Sequence, residues 1–164
     1  MTKNDIYAFL IALGVNREYA VIPEFSVKLP GNGKRKKVID LVWAKKKPNT
    51  GKITNTLDQW QLVAAFEIEG CNVPREPEFS RHLSDFKDVK NFNGKQPQKY
   101  VVLYTNAYDR TWNSAIDIDK EINTRVTWGA TQNKCFKVLD GRKLKEASKK
   151  FPPKVTRKRW ADLR

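Results

Sequence analysis

Carboxylates interrupt two apolar segments of the chain. Asp40 lies in the apolar stretch 38–43, and Glu67 and Glu69 lie at the end of a second, more apolar stretch. Buried carboxylates repel one another and lose hydration, so they are kept only when they are paired or bind a metal ion. Mg²⁺ is the natural partner, because it takes carboxylate oxygens and retains several waters. With the carbonyl oxygen of Ile68, these three carboxylates form a candidate metal site.

Such a site suits phosphodiester hydrolysis, because a bound ion lowers the pKa of its water and neutralises charge on the phosphate. Asp40 and Glu67 are the expected ligands. Glu69 is expected to orient or deprotonate the water or to bind an ion. Glu24 is the fourth candidate, because a hairpin that turns near residues 31–32 brings it close to Asp40. The alternatives are a solvated Glu24 and, for the whole set, surface carboxylates balanced by lysines.

Hydrophobic periodicity predicts the elements that position these residues. Helices are predicted at 6–13, 78–89, 111–125 and 141–150, and strands at 19–29, 38–44, 62–70, 100–104 and 136–139. Thr2 or Asn4 is expected to cap the first helix and Gly14 to end it. Pro23 predicts an edge position or a bulge for the first strand. The order α-β-β-β-α-β-α-β-α indicates an α/β fold with a central mixed sheet flanked by helices.

Strand alternation predicts the directions of the candidate side chains. Asp40 is expected to share a face with Val42, opposite Ile39 and Leu41. The two glutamates of the third strand are expected to project together from one face of the strand, and Phe66 is expected to project from the opposite face. That strand is the most apolar and is expected at the centre of the sheet.

Charge indicates the class of partner. Lys and Arg total 32 against 18 acidic residues, a net charge of +14. A positive field captures polyanions, and each neutralised phosphate releases a counterion, so nucleic acid is the expected partner. A generally basic protein is the alternative. The candidate contacts are Lys34, Arg35, Lys36, Lys37, Lys45, Lys46, Arg75, Arg81, His82, Arg157, Lys158 and Arg159. For these the alternatives are solvated loops, a helix-surface histidine and a solubilising tail.

Several classes of site are excluded by composition. Cys71 and Cys135 are isolated, without zinc spacing or a disulfide framework. His82 is the single histidine, which excludes a metal site built from histidines. No apolar stretch reaches the roughly 18 residues of a membrane span, so we expect a cytoplasmic protein without a membrane partner.

Asp40 in its apolar strand and the segment Glu67-Ile68-Glu69 resemble the motif of the PD-(D/E)XK nuclease superfamily, which includes many type II restriction endonucleases. Glu24 is similar to the acidic residue that many members carry before the hairpin. The resemblance covers residues 19–104. The usual motif ends in lysine, whereas this chain has Glu69, similar to a known restriction-enzyme variant.

Two lysines are candidates to replace the missing one. Lys36 shares the predicted face of Asp40, and Lys28 shares that of Glu24. The resemblance implies a restriction-endonuclease-like fold. The chain shows no inter-domain linker, so residues 1–141 are expected to form the nuclease core and residues 142–164 a basic helix and tail of the same domain.

The resemblance also implies hydrolysis of double-stranded DNA with Mg²⁺, or with Mn²⁺ as the alternative ion, by direct attack of an activated water. A chain with one site must dimerise or act twice to cut both strands, so a homodimer is expected. Two alternatives stay open. One is a repair, nicking or junction-resolving nuclease of the same fold, and the other is a non-catalytic nucleic-acid-binding protein.

Overall fold

A five-stranded mixed β-sheet forms the centre of the protein and carries helices on both faces. The computed structural model describes residues 1–29, 35–47, 59–71, 83–91, 93–105, 118–132 and 135–156. Its elements are α1 (Lys3–Asn16), β1 (Ala20–Lys28), β2 (Lys36–Lys46), β3 (Trp60–Gly70), α2 (83–87), β4 (Gln98–Tyr104), α3 (Ile118–Ala130), β5 (Lys137–Asp140) and α4 (Leu144–Ala147). Short 3₁₀ helices, Gly141–Lys143 and Ser148–Lys150, flank α4.

The strands lie in the order β1-β2-β3-β4-β5. β1 and β2 pair antiparallel, as do β2 and β3, whereas β3–β4 and β4–β5 are parallel pairs. Parallel strands need a long crossover, and the two crossovers carry α2 and α3. β3 is central and buried along most of its length. The predicted α/β fold with a mixed sheet flanked by helices, and the central position of the most apolar stretch, are therefore confirmed.

The sheet separates two hydrophobic cores. The α2/α3 core contains Phe25, Ile39, Val42, Ala65 and Val101 of the sheet and Leu83, Phe86 and Ile122 of the helical side. The α1 core contains Leu41, Trp43, Phe66, Ile68 and Val102 of the sheet with Ile6, Leu10, Leu144 and Phe151. α1 and the C-terminal helical segment therefore cover one face, and α2 and α3 cover the other.

α1 continues past Gly14, so the prediction that this glycine ends the helix was wrong. Gly14 is buried against the indole of Trp43, where an added Cβ would lie 2.5 Å from Nε1. The same Nε1 donates a hydrogen bond of 3.1 Å to the carbonyl oxygen of Leu10. The glycine therefore serves the close approach of helix and sheet. At the other end, Thr2 caps the helix in a capping box with Asp5, as one of the two predicted caps.

Other predicted elements are present with different ends. β1 is an edge strand, as its proline predicted. The helix predicted at 111–125 is described from Ile118 and runs to Ala130. The helix predicted at 141–150 is instead the short α4 between two 3₁₀ helices. Pro152 ends the helical segment after Lys150, because a proline disfavours helical backbone in the residue before it, and Phe151 is extended. Residues 78–82 and 111–117 of the predicted helices lie outside the described residues.

No helix in the described part of the chain combines the length and apolar character needed to cross a membrane.

Candidate active site

The candidate site lies where β2 and β3 separate. Backbone pairing between these strands reaches Leu41 and Phe66. One residue further, the carboxylate of Asp40 accepts a hydrogen bond of 2.8 Å from the amide N–H of Ile68 through Oδ2. A side chain thus takes the place of a backbone acceptor, which satisfies the amide. The side chain of Asp40 is 26% exposed, so a ligand can reach it.

In both strands of the β1–β2 hairpin, the regular alternation of side chains between the two faces of the sheet is interrupted near Glu24 and Asp40. We call this interruption the skip. Ile22 and Phe25, three residues apart on β1, both belong to the α2/α3 core, as do their partners Val42 and Ile39. Glu24 lies between the first two and has a φ of 49°. A non-glycine residue in this left-handed region costs on the order of 1–3 kcal/mol, which the surrounding structure must offset.

The skip corrects the predicted face of β2. Ile39 lies in the α2/α3 core and Leu41 in the α1 core, so these two residues do not share a face. Strict alternation predicted that they would. The prediction was wrong because a sequence pattern does not indicate a residue with positive φ. On β3 the alternation is regular: Ala65 belongs to the α2/α3 core, and Phe66 belongs to the α1 core.

Glu67 is the most deeply buried acid of the site, with 5% of its side chain exposed. Its Oε2 lies 3.0 Å from the ammonium nitrogen of Lys37. Its Oε1 has no hydrogen-bond partner among the described residues. Burial raises the pKa of Glu67 to about 7, with Lys37 acting against the rise and the charges of Asp40 and Glu69 adding to it. A buried oxygen without a partner is costly unless a ligand binds it.

The cation beside Glu67 is Lys37, which the sequence pattern did not predict there. It was expected as a nucleic-acid contact, whereas Lys36 and Lys28 were the candidates for the missing lysine. The structure places Lys36 and Lys28 opposite each other in the last described pair of the β1–β2 ladder, and both residues are exposed. Because of the skip at Glu24, residue 37 lies on the side of β2 that faces Glu67. Regular alternation gives no signal of this.

Glu24 and Glu69 complete the predicted set. Glu24 lies opposite Asp40, between the pairs formed by its two neighbours, and is exposed. Glu69 is half-buried on β3 and near enough to affect the pKa of Glu67. Among the residues described, no three His, Cys, Asp or Glu side chains are arranged to hold a metal ion together. Asp40 and Glu67 with the Ile68 carbonyl therefore remain the predicted ligand set, and a third carboxylate ligand requires movement of a side chain.

Two residues of α1 reach the site and were missed from the sequence. The hydroxyl of Tyr7 donates a hydrogen bond of 3.1 Å to the carbonyl oxygen of Asp40. The ammonium of Lys3 lies 3.6 Å from Asp40 Oδ1 and 5.8 Å from the Tyr7 ring centre. Burial and the charge of Asp40 raise the pKa of Tyr7, so it remains a hydrogen-bond donor. Lys3 and Tyr7 are four residues apart, so they lie on the same face of α1. Only the packing of α1 shows that this face contacts Asp40.

The predicted nucleic-acid contacts divide into three groups. Arg35 forms an ion pair with Asp85, and Lys37 forms one with Glu67. Lys36, Lys45 and Lys46 are exposed on β2. The others lie outside the described residues: Lys34, Arg75, Arg81, His82, Arg157, Lys158 and Arg159.

Comparisons of the chain with protein-family models, with curated proteins and with solved structures found no match.

Proposed function

We propose that the protein is a Mg²⁺-dependent endonuclease that hydrolyses double-stranded DNA and has a restriction-endonuclease-like fold. The observation that carries the proposal is that Asp40, fixed at the separation of β2 and β3, lies near enough to affect the pKa of Glu67, whose buried Oε1 has no hydrogen-bond partner among the described residues. The order α1-β1-β2-β3-α2-β4, with these acids on β2 and central β3, supports the resemblance drawn from the motif.

The site fits a hard divalent cation, because it offers carboxylate and carbonyl oxygens and one of them is buried without a partner. Asp40, Glu67 and the carbonyl of Ile68 would hold the ion, and Glu69 is the further candidate ligand. Bound there, Mg²⁺ would lower the pKa of a coordinated water and neutralise charge on the phosphate.

Lys37 is assigned the role of the lysine that the motif lacks. Its ammonium holds Glu67 through a charge-assisted bond of 3.0 Å and favours the ionised carboxylate. Lys3 and Tyr7 hold the other acid: Tyr7 fixes the backbone of Asp40, and Lys3 balances its charge. Glu69 is the proposed group that orients or deprotonates the attacking water. Glu24, opposite Asp40, is the supporting acid.

The test is incubation of the protein with supercoiled plasmid in Mg²⁺ and, in parallel, in EDTA. The proposal predicts cleavage with Mg²⁺ only. Discrete linear fragments indicate site-specific double-strand cutting, whereas open circles alone indicate the nicking alternative. A mass measurement by light scattering tests the expected homodimer in the same preparation.

One observation favours nucleic-acid binding without hydrolysis as the second candidate. Lysines already lie at both carboxylates, Lys37 at Glu67 and Lys3 at Asp40, so internal ion pairs balance part of the charge that a metal would neutralise. This candidate predicts DNA binding that is equal with Mg²⁺ and EDTA and an intact plasmid in both. The endonuclease proposal is contradicted by that result.

A further inference from the structure

One face of the β1–β2 hairpin is basic and exposed. It consists of Ser26, Lys28, Lys36 and Val38, which are all exposed, Val38 to 55%. Ser26 pairs with Val38 across the strands, and Lys28 pairs with Lys36. We call these four residues the hairpin face. The opposite face of the same two strands lies in the α2/α3 core.

The hairpin face carries an unfavourable pair of charges. Like charges directly opposite each other on antiparallel strands destabilise the pairing, and Lys28 and Lys36 occupy such positions. The charges of the neighbouring cations Arg35 and Lys37 are balanced within the protein, because these residues form ion pairs with Asp85 and Glu67, respectively. Alternate residues of one basic run therefore have separate roles. A polyanion bound on the hairpin face would relieve the repulsion of its two lysines.

The hairpin face leads along the strand pair to Asp40, one of the two predicted carboxylate ligands. The pair Lys28–Lys36, the pair Ser26–Val38 and the opposed Glu24 and Asp40 follow one another along the hairpin. Lys36 and Asp40 are four residues apart, about 13 Å at 3.3 Å per residue. About four base pairs of duplex DNA span the same length along the helix axis, at about 3.4 Å each. Lys3 of α1 borders this ladder at Asp40.

We propose that the hairpin face docks the phosphate backbone of duplex DNA a few nucleotides from the bond that lies at Asp40. The inference rests on the proposed function. Two lysines side by side on an exposed β-ribbon present their ammonium groups to successive phosphates, and Val38 between them and Asp40 gives apolar contact with sugars. Backbone contacts of this type set the position of the duplex without reading its sequence.

The test compares two double variants, each of which removes two exposed lysines and therefore two positive charges. Lys28→Ala/Lys36→Ala alters the hairpin face. Lys143→Ala/Lys145→Ala, which removes two exposed lysines of the C-terminal helical segment, is the matched control. Binding of a short fluorescein-labelled duplex is measured by anisotropy in EDTA between about 50 and 200 mM salt. Thermal unfolding of both variants shows that they are folded.

The hairpin-face variant should bind about tenfold more weakly and lose about 2 from the slope of log K against log salt, since each phosphate contact contributes about 0.9. The control should keep the slope of the unaltered protein. Equal losses in both variants would show general electrostatic attraction and overturn the inference, as would an unchanged hairpin-face variant. Cleavage is scored separately with Mg²⁺: an intact plasmid despite hairpin-dependent binding contradicts the endonuclease proposal and leaves the docking inference in place.

Discussion

Replacement of Glu67 by glutamine should stabilise the metal-free protein at alkaline pH. The glutamine keeps the shape of the side chain and an acceptor for Lys37 but removes the buried charge. Burial raises the pKa of Glu67 from 4.5 to about 7 in the folded protein. Since the folded pKa exceeds the unfolded one, the stability from this group is fully present below pH 4.5 and is lost as the pH rises through about 7.

The magnitude follows from that pKa difference. At 1.36 kcal/mol for each tenfold change in proton affinity, ionisation of Glu67 costs about 3 kcal/mol once the pH is well above 7. The cost needs little reduction for solvent, because only 5% of the side chain is exposed. Glu67→Gln should therefore exceed the unaltered protein in free energy of unfolding by about 3 kcal/mol at pH 8 and by about 1 kcal/mol at pH 5.

Urea unfolding of both proteins in EDTA, from pH 5 to pH 8, measures the difference. Glu146→Gln is the matched control, since it removes an exposed carboxylate of α4, and its difference should stay near zero at every pH. If Glu67→Gln is no more stable than the unaltered protein at pH 8, Lys37 fully compensates the buried charge. The account of Glu67 as an unsatisfied acid would then be refuted.

Three further predictions concern the metal, the lysine and the packing of α1. Mg²⁺ should raise the unfolding temperature of the unaltered protein at pH 8 but not that of Glu67→Gln, because an ion that binds only the folded state stabilises it; equal shifts would contradict the ligand assignment. Lys37→Met should lower cleavage about 10- to 100-fold, the equivalent of about 1.5–3 kcal/mol for a bond to a charged group. It should also move the acidic limb of the pH–rate profile to higher pH, because Lys37 lowers the pKa of Glu67. Lys145→Met is the control, and a Lys37→Met profile that matches the control's would contradict this role. Gly14→Ala should destabilise the protein by about 1–3 kcal/mol through its clash with Trp43, although the same change stabilises an exposed helix. A higher free energy of unfolding in urea for this variant would show that the helix can shift.

The sheet and the pair of acids were predictable because they depend on local patterns. The stretch of β3 is apolar at successive positions, which is typical of a strand that is buried on both faces at the centre of a sheet. A hairpin brings β2 next to β1, and β3 then pairs with β2, so that Asp40 and Glu67 lie on neighbouring strands. The mixed sheet and the proximity of these two acids follow from that order.

The rest of the site depends on contacts that are distant in sequence. Glu24 adopts a positive φ, and the skip that accompanies it places Lys37 rather than Lys36 beside Glu67. The approach of α1 to the sheet places Lys3 and Tyr7 at Asp40. Neither the backbone angle of one glutamate nor the packing position of a helix is encoded in an apolar period, so these contacts could not be predicted.

The most direct test of the central claim is the rate of plasmid cleavage by Asp40→Asn in Mg²⁺, with Glu146→Gln as the control. Both changes remove one negative charge, and the asparagine keeps an oxygen to accept the Ile68 amide. The account predicts that Asp40→Asn binds DNA as the unaltered protein does but no longer cleaves it, while Glu146→Gln cleaves at the original rate. Undiminished cleavage by Asp40→Asn would contradict it.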